Sequence, residues 1–296
     1  MLTLLGLVCW MGMAQVRYQA DLFPDIQKRT FNYADTLDLD FYDALRDNVE
    51  NKPLVVLVHG GGFVAGQRDG SEEIELSTFL AQKGYAVASI SYRLSRKGKS
   101  FGCDCPAQTK VGTYREAVED LGKAIHYLTS YAKDFKVDPN RVILIGSSAG
   151  AETILNFIAM KNEYRFKEMT YPQAKIIGAV SLSGAVLDRD YLTAENAVPT
   201  LFFHGRLDDK VPLATAPHHS CQEKDEGYLM LDGPSEIIHR LRELNTSFAL
   251  YVDPSGDHDW ADLGYHFPTL ISEFLYHTVL EGTPIQREEP ISRPKP

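Results

Sequence analysis

The chain has 296 residues, 44% of them hydrophobic and 24% charged, an ordinary globular composition with enough apolar material for a sizeable core. The formal net charge is −10, and the acidic excess is spread along the sequence. This excludes a nucleic-acid footprint, which needs clustered Lys and Arg to release counterions. The densest basic run, Arg93, Arg96, Lys97 and Lys99, is short and reads as a solvated loop.

Residues 1–14 form an apolar stretch too short to span a bilayer. With Gly12, Met13 and Ala14 before Gln15 they fit a signal peptide, so the mature chain is expected to be secreted or periplasmic. Segments 30–33 and 37–41 alternate as a pair of antiparallel strands. Residues 54–58 are a continuous Leu/Val run, the pattern of a strand buried on both faces. A helix is expected over 71–83, ending before Gly84, and a strand over 85–91. Residues 114–131 are amphipathic, with Ala117, Leu121, Ile125 and Leu128 on one face. A strand at 141–146 and a helix at 149–160 follow, then strands at 176–182, 199–203 and 247–252 and a last helix over 265–280. Residues 281–296 hold four prolines and mixed charge and read as a loose tail. No repeat or low-complexity linker divides the chain, so residues 15–280 are expected to be a single domain. Strands separated by helices predict an α/β fold with a mainly parallel, doubly wound sheet flanked by helices. Ligands bind at the carboxyl edge of such sheets.

Of the cysteines beyond the leader, Cys103 and Cys105 are too close to pair comfortably, and one of them is expected to join Cys221. A Cys-x-Cys with no nearby His is a poor zinc signature, and no metal or cofactor is expected.

The residues that carry chemistry all follow strands. Gly146-Ser147-Ser148-Ala149-Gly150 fits G-x-S-x-G between a strand and a helix, the setting in which the central serine is forced to the apex of a tight turn. Ser147 sits one step off that apex. His59-Gly60-Gly61-Gly62-Phe63 follows the 54–58 strand. Its glycines let backbone N–H groups turn inward, where with the N–H of Ala149 they can receive an oxyanion. The Lys and Ser/Thr of a phosphate-binding loop are absent, and His59 reads as a residue that orients the loop. The segment His204–Pro212 brings two carboxylates, Asp208 and Asp209, either of which can hold an imidazole in one tautomer. His258 follows the last strand and can reach over the sheet edge to the serine. His126, His239 and His277 fall in helical stretches, while His218 and His219 either line the pocket or bind nothing.

Together these four motifs, over about residues 37–280, resemble the α/β-hydrolase superfamily. Within it they resemble the small esterases with an HGGG oxyanion motif, including the hormone-sensitive-lipase-like and type-B-like carboxylesterases and the secreted polysaccharide esterases. Ser91-Tyr92-Arg93 resembles the SYR after the third core strand of such esterases. The elbow reads GSSAG where the hormone-sensitive-lipase-like and type-B-like groups usually have GDSAG or GESAG, and residues 94–113 match no assignable pattern. The resemblance implies the α/β-hydrolase fold with a small lid or none. It implies Ser148 as nucleophile, His258 as base and Asp208 as acid, with Gly61, Gly62 and Ala149 as the oxyanion hole. The expected activity is serine esterase chemistry on short acyl or aryl esters, small or polysaccharide-linked, acetyl and feruloyl groups among them. Two rivals are a peptidase on the same fold and a non-catalytic binding protein. The peptidase needs a capping domain for which this chain has no room, and the complete triad speaks against the binding protein.

Overall fold

The computed structural model of the chain describes residues 17–169 and 171–294. The leader expected at residues 1–14 lies outside the described residues. Strands β1 (Ile26–Ala34) and β2 (Leu37–Ala44) form the antiparallel hairpin at the start. Then come β3 (Lys52–Val58), helix α1 (Ser71–Gln82), β4 (Ala86–Ile90), helix α2 (Ala107–Ser130), β5 (Val137–Ser147) and helix α3 (Ala149–Ala159). The second half adds β6 (Ile176–Leu182), β7 (Thr200–Gly205), the short strands β8 (Thr215–Pro217) and β9 (Met230–Asp232), and helix α4 (Pro234–Glu243). It closes with β10 (Phe248–Asp253), helix α5 (Pro268–Glu273) and β11 (Gln286–Pro290).

Nine of these strands make one sheet in the order β1-β2-β4-β3-β5-β6-β7-β10-β11, parallel from β4 onward. β3 shows why its sequence is an unbroken apolar run. Leu54, Val56 and Val58 join the core beneath α2, α3 and α4. Val55 and Leu57 face the opposite way, into the core beneath α1 and α5. A strand covered by helices on both faces has no solvent side to make polar. The chain runs from β3 outward to β4, then returns to lay β5 on the other side of β3. Between β3 and β5 the winding therefore reverses, and loops leaving their carboxyl ends diverge to open a crevice. The loops there are the glycine-rich segment after Val58 and the elbow after Ser147.

Two expectations need correction. Part of the tail expected at 281–296 is a strand: β11 pairs in parallel with β10, so the sheet continues beyond residue 280. Its sequence, Gln-Arg-Glu-Glu-Pro, lacks any apolar alternation because both of its faces are exposed. Charge at a sheet edge deters pairing with other chains. The last helix is not continuous over 265–280: Pro268 opens α5, and residues from Phe274 to Leu280 widen into a π-helical turn. The basic run does lie in a partly exposed loop, and within it the Arg93 guanidinium is also ion-paired, donating to Asp120 at 2.8 Å and to Glu119 at 2.6 Å. In addition, α2 begins seven residues before its amphipathic pattern does. This extra stretch contains Lys110, which is fully buried and donates to the Gly227 carbonyl at 2.8 Å.

Cys103 pairs with Cys221, and Cys105 is a buried free thiol. The bridge closes a loop of 118 residues, linking the segment before α2 to the turn after β8. For a loop of that size the chain-entropy argument gives a stabilisation of about 5 kcal/mol. Replacing Cys221 by Ser is expected to lower the unfolding free energy by about 3–5 kcal/mol, read as a lower denaturant midpoint. An unmoved midpoint would show that these two loops are held by packing alone.

Candidate active site

The elbow is built by two close approaches of backbone to backbone. A side chain at Gly146 would lie 2.4 Å from the Gly150 carbonyl oxygen, and one at Gly150 would lie 2.1 Å from that of Val58. Only glycine lets α3 start this close to β3. Ser148 at the turn's apex has φ 47° and ψ −118°, a backbone conformation that a non-glycine residue holds only when its surroundings impose it. Its N–H donates to the Leu182 carbonyl at 2.8 Å, and its carbonyl accepts from the Glu152 N–H at 2.9 Å. Its side chain is left free to point into the crevice. Ser147 faces the other way, its hydroxyl buried and donating to the Ala261 carbonyl at 2.9 Å.

Three loops from separate strands meet at Ser148. His258, after β10, brings Nε2 to 2.8 Å from Ser148 Oγ. Its Nδ1 lies 2.8 Å from Oδ2 of Asp208, on the loop after β7. The carboxylate can only accept there, so Nδ1 carries the proton and Nε2 is left to accept from the serine. The His and Asp loops are pinned together, the Leu207 N–H donating to the Gly256 carbonyl at 2.8 Å. Asp208 Oδ1 accepts from the N–H groups of Lys210 (3.0 Å) and Val211 (2.9 Å). The side chain of Asp209 instead points to solvent.

Electrostatics keep this chain of bonds poised. Burial works against charge on both Asp208 and His258. Their mutual hydrogen bond outweighs it, holding the Asp208 carboxyl below its ordinary range and the His258 imidazole above its own. His204 is fully buried, which pushes its pKa down. It stays neutral, donating from Nε2 to the Val211 carbonyl at 3.0 Å and so bracing the Asp208 loop. A hydroxyl, an imidazole and a carboxylate linked this way can move a proton off the hydroxyl as its oxygen attacks an electrophile.

The glycine-rich loop lies opposite. Gly61 (φ 109°) and Gly62 (φ 60°) line a cavity of about 550 Å³ together with Ser148 and His258. Among the described residues nothing accepts a hydrogen bond from the N–H groups of Gly61, Gly62 or Ala149. His59 is buried beneath this loop, stacked on Tyr92 at 4.4 Å, with Nδ1 donating to the Gly60 carbonyl at 2.7 Å. This is the orienting part its position suggested. His126, His239 and His277 are exposed on helices and do not line this cavity.

His218 and His219 do line the cavity. Sequence reasoning missed their neighbours there: Phe101, from the stretch that matched no pattern, and Glu152, whose carboxyl accepts from the buried hydroxyl of Tyr114 at 2.8 Å. One signal could have found Glu152. It is an acid in the otherwise apolar first turn of a buried helix, four residues after Ser148.

Comparison with known proteins finds esterases both in sequence and in fold. The BD-FAE family model matches residues 39–185, from β2 through the elbow to just beyond β6. Among curated proteins, the chain is 30% identical to the Arabidopsis thaliana isoprenylcysteine alpha-carbonyl methylesterase ICME over 160 residues, 51% of this chain and 33% of that protein. It is 31% identical to Esterase B1 of Culex pipiens over 120 residues, 38% of this chain and 21% of that protein. The chain thus spans only about a fifth to a third of the length of these relatives. Two solved structures share the fold across most of both chains. Thermogutta terrifontis esterase 2, in a butyrate-bound structure, superposes with a TM-score of 0.60 at 18% identity, covering 88% of this chain and 97% of that one. The carboxylesterase Cest-2923 of Lactobacillus plantarum superposes with a TM-score of 0.60 at 17% identity, covering 86% and 98%.

Proposed function

We propose that this chain, a carboxylesterase-like α/β-hydrolase, hydrolyses carboxylic esters through an acyl-enzyme on Ser148. The observation that carries the reading is the unbroken Ser148–His258–Asp208 chain, two 2.8 Å hydrogen bonds long. Ser148 Oγ attacks the ester carbonyl carbon while His258 Nε2 takes the hydroxyl proton. The C=O electron pair moves onto the oxygen, which the N–H groups of Gly61, Gly62 and Ala149 receive. When the pair returns, the C–O bond to the alcohol breaks and His258 gives its proton to the leaving alkoxide. Water then repeats the sequence on the acyl-enzyme, releasing the acid and restoring the serine.

The substrates we propose are short acyl or aryl esters, either small molecules or acetyl and feruloyl groups borne by polysaccharide. Support comes from the modest cavity of about 550 Å³ beside Ser148. A related fold is also recorded with butyrate and with propionate bound. We place the chain outside the cytoplasm, with residues 1–14 as leader. The Cys103–Cys221 bridge, which an oxidising compartment would preserve, supports that placement. Among the described residues no helix is long and apolar enough to cross a membrane.

The test is hydrolysis of p-nitrophenyl acetate, butyrate and decanoate by the purified chain. The expected order of kcat/KM is acetate and butyrate well above decanoate. Preference for decanoate would overturn the short-acyl reading. Hydrolysis of none of them by folded protein would overturn the esterase reading itself.

A further inference from the structure

One wall of the cavity has hydrogen-bonding capacity that acyl transfer does not use. Glu152 lies one helical turn beyond Ser148, lines the cavity and is only 2% exposed. Its Oε1 accepts from Tyr114 at 2.8 Å and stands 3.4 Å from His218 Nε2. Among the described residues its Oε2 has no hydrogen-bond partner, and neither has the buried Nδ1 of His218. Burial pushes the Glu152 carboxyl up to about 8 and the His218 imidazole well down. Near neutral pH this wall is therefore a carboxylic acid beside a neutral imidazole. The charge of Lys110 works against that rise without overcoming it, and its ammonium donates to the Gly227 carbonyl and not to the carboxyl. The wall is also held in place: Phe101 meets His218 edge-on at 5.3 Å, and the Cys103–Cys221 bridge ties together the loops that carry them.

Buried polar atoms in native proteins nearly all find partners, so His218 Nδ1, buried and unpaired on a cavity wall beside the unpaired Oε2 of Glu152, points to a ligand that completes this wall. We propose that Glu152, backed by Tyr114 and His218, is a specificity-determining residue that recognises an uncharged hydroxyl group on the ester substrate. A neutral carboxylic acid offers one donor and spare acceptor capacity, and a hydroxyl matches both. A cationic amine would require the ionised carboxylate that burial opposes, and Lys210, the lysine that also lines the cavity, already pairs with Asp209 at 3.7 Å. An unsubstituted alkyl chain would leave the polar atoms unpaired, which is how a site built to bind a hydroxyl rejects the analogue without one. The hydroxyl can belong to the acyl part or to the alcohol part. This inference rests on the esterase reading of Ser148.

The test compares kcat/KM for ethyl butyrate, ethyl 3-hydroxybutyrate and 2-hydroxyethyl butyrate in the wild-type chain and in Glu152→Gln and Glu152→Leu. Each ratio is internal to one protein, so a partly unfolded variant does not distort it. The wild type is expected to favour one hydroxylated ester over ethyl butyrate by about tenfold or more. Which ester it favours assigns the hydroxyl to the acyl or the alcohol side. Glu152→Gln, whose amide both donates and accepts, is expected to keep most of that preference, and Glu152→Leu to bring the ratio towards unity. Hydrolysis of all three esters with a ratio that Glu152→Leu leaves unmoved, or with no preference in the wild type, would overturn this inference alone. Hydrolysis of none would overturn the esterase reading as well.

Discussion

Ser148→Ala is expected to lower kcat for ester hydrolysis by about 10⁶-fold while leaving the fold intact. The size follows from what the hydroxyl does in the proposed cycle. It is the atom that bonds to the acyl carbon, and without it neither His258 nor Asp208 has a proton to manage. What remains is the assistance that a bound ester gets from the oxyanion donors, about 10³–10⁴ over water. The fold should tolerate the change, because the two interactions that set the elbow, from the Ser148 N–H and to its carbonyl, are made by backbone. Ser147→Ala is the matched control. Its hydroxyl is spent on the Ala261 carbonyl, so the variant should lose some stability and keep its turnover. Equal loss in both variants would mean that the elbow as a whole, and not the Ser148 hydroxyl, had been damaged. A fluorophosphonate probe should label the wild-type chain and fail to label Ser148→Ala.

Asp208→Asn is expected to lower kcat/KM by about 10⁴-fold. The carboxylate accepts the Nδ1–H of His258 and so leaves Nε2 bare toward the serine. An asparagine amide can instead donate to Nδ1, which turns the Nε2–H toward Ser148 and removes the base. The pH profile carries the same argument. His258 works as its neutral form, and its folded pKa lies above the ordinary 6.5 because the hydrogen bond and charge of Asp208 outweigh its burial. Activity should therefore be lost as pH falls through a midpoint above 6.5, and the residual activity of Asp208→Asn should show that midpoint moved down. Asp209→Asn should change neither quantity, since that carboxyl is exposed and, among the described residues, pairs with Lys210 alone. A large effect at Asp209 with none at Asp208 would reverse the assignment.

How much of this was readable beforehand depends on the range of the interactions involved. The elbow, the glycine-rich loop and the Asp and His loops are each short segments fixed by the strand that precedes them. Their steric demands, glycine at 146 and 150 above all, are written locally. The choice between Asp208 and Asp209 was open on chemistry alone and rested on resemblance. The structure separates them by one fact that local sequence lacks, namely which carboxylate the Lys210 and Val211 N–H groups turn inward. β11 escaped notice because a charged edge strand has no hydrophobic period to read. Its order comes from main-chain bonds to β10 and from pairs such as Arg242 with Glu288. Residues 107–113 failed to read as helix because Lys110, a residue that normally marks a wet face, is buried there by a carbonyl more than a hundred positions away.

The sequence by itself determined the alternation of strands and helices, the order of Ser148, Asp208 and His258 along the chain, and the expectation of a bridge from Cys221. Each of these depends on period, spacing or residue type, which are one-dimensional properties. Only the tertiary structure decided that Cys103 is the bridged partner and that Glu152, Tyr114 and His218 share a buried polar wall beside Ser148. These residues lie 38 to 118 positions from their partners, and no local pattern announces a contact that exists only once the sheet has wound.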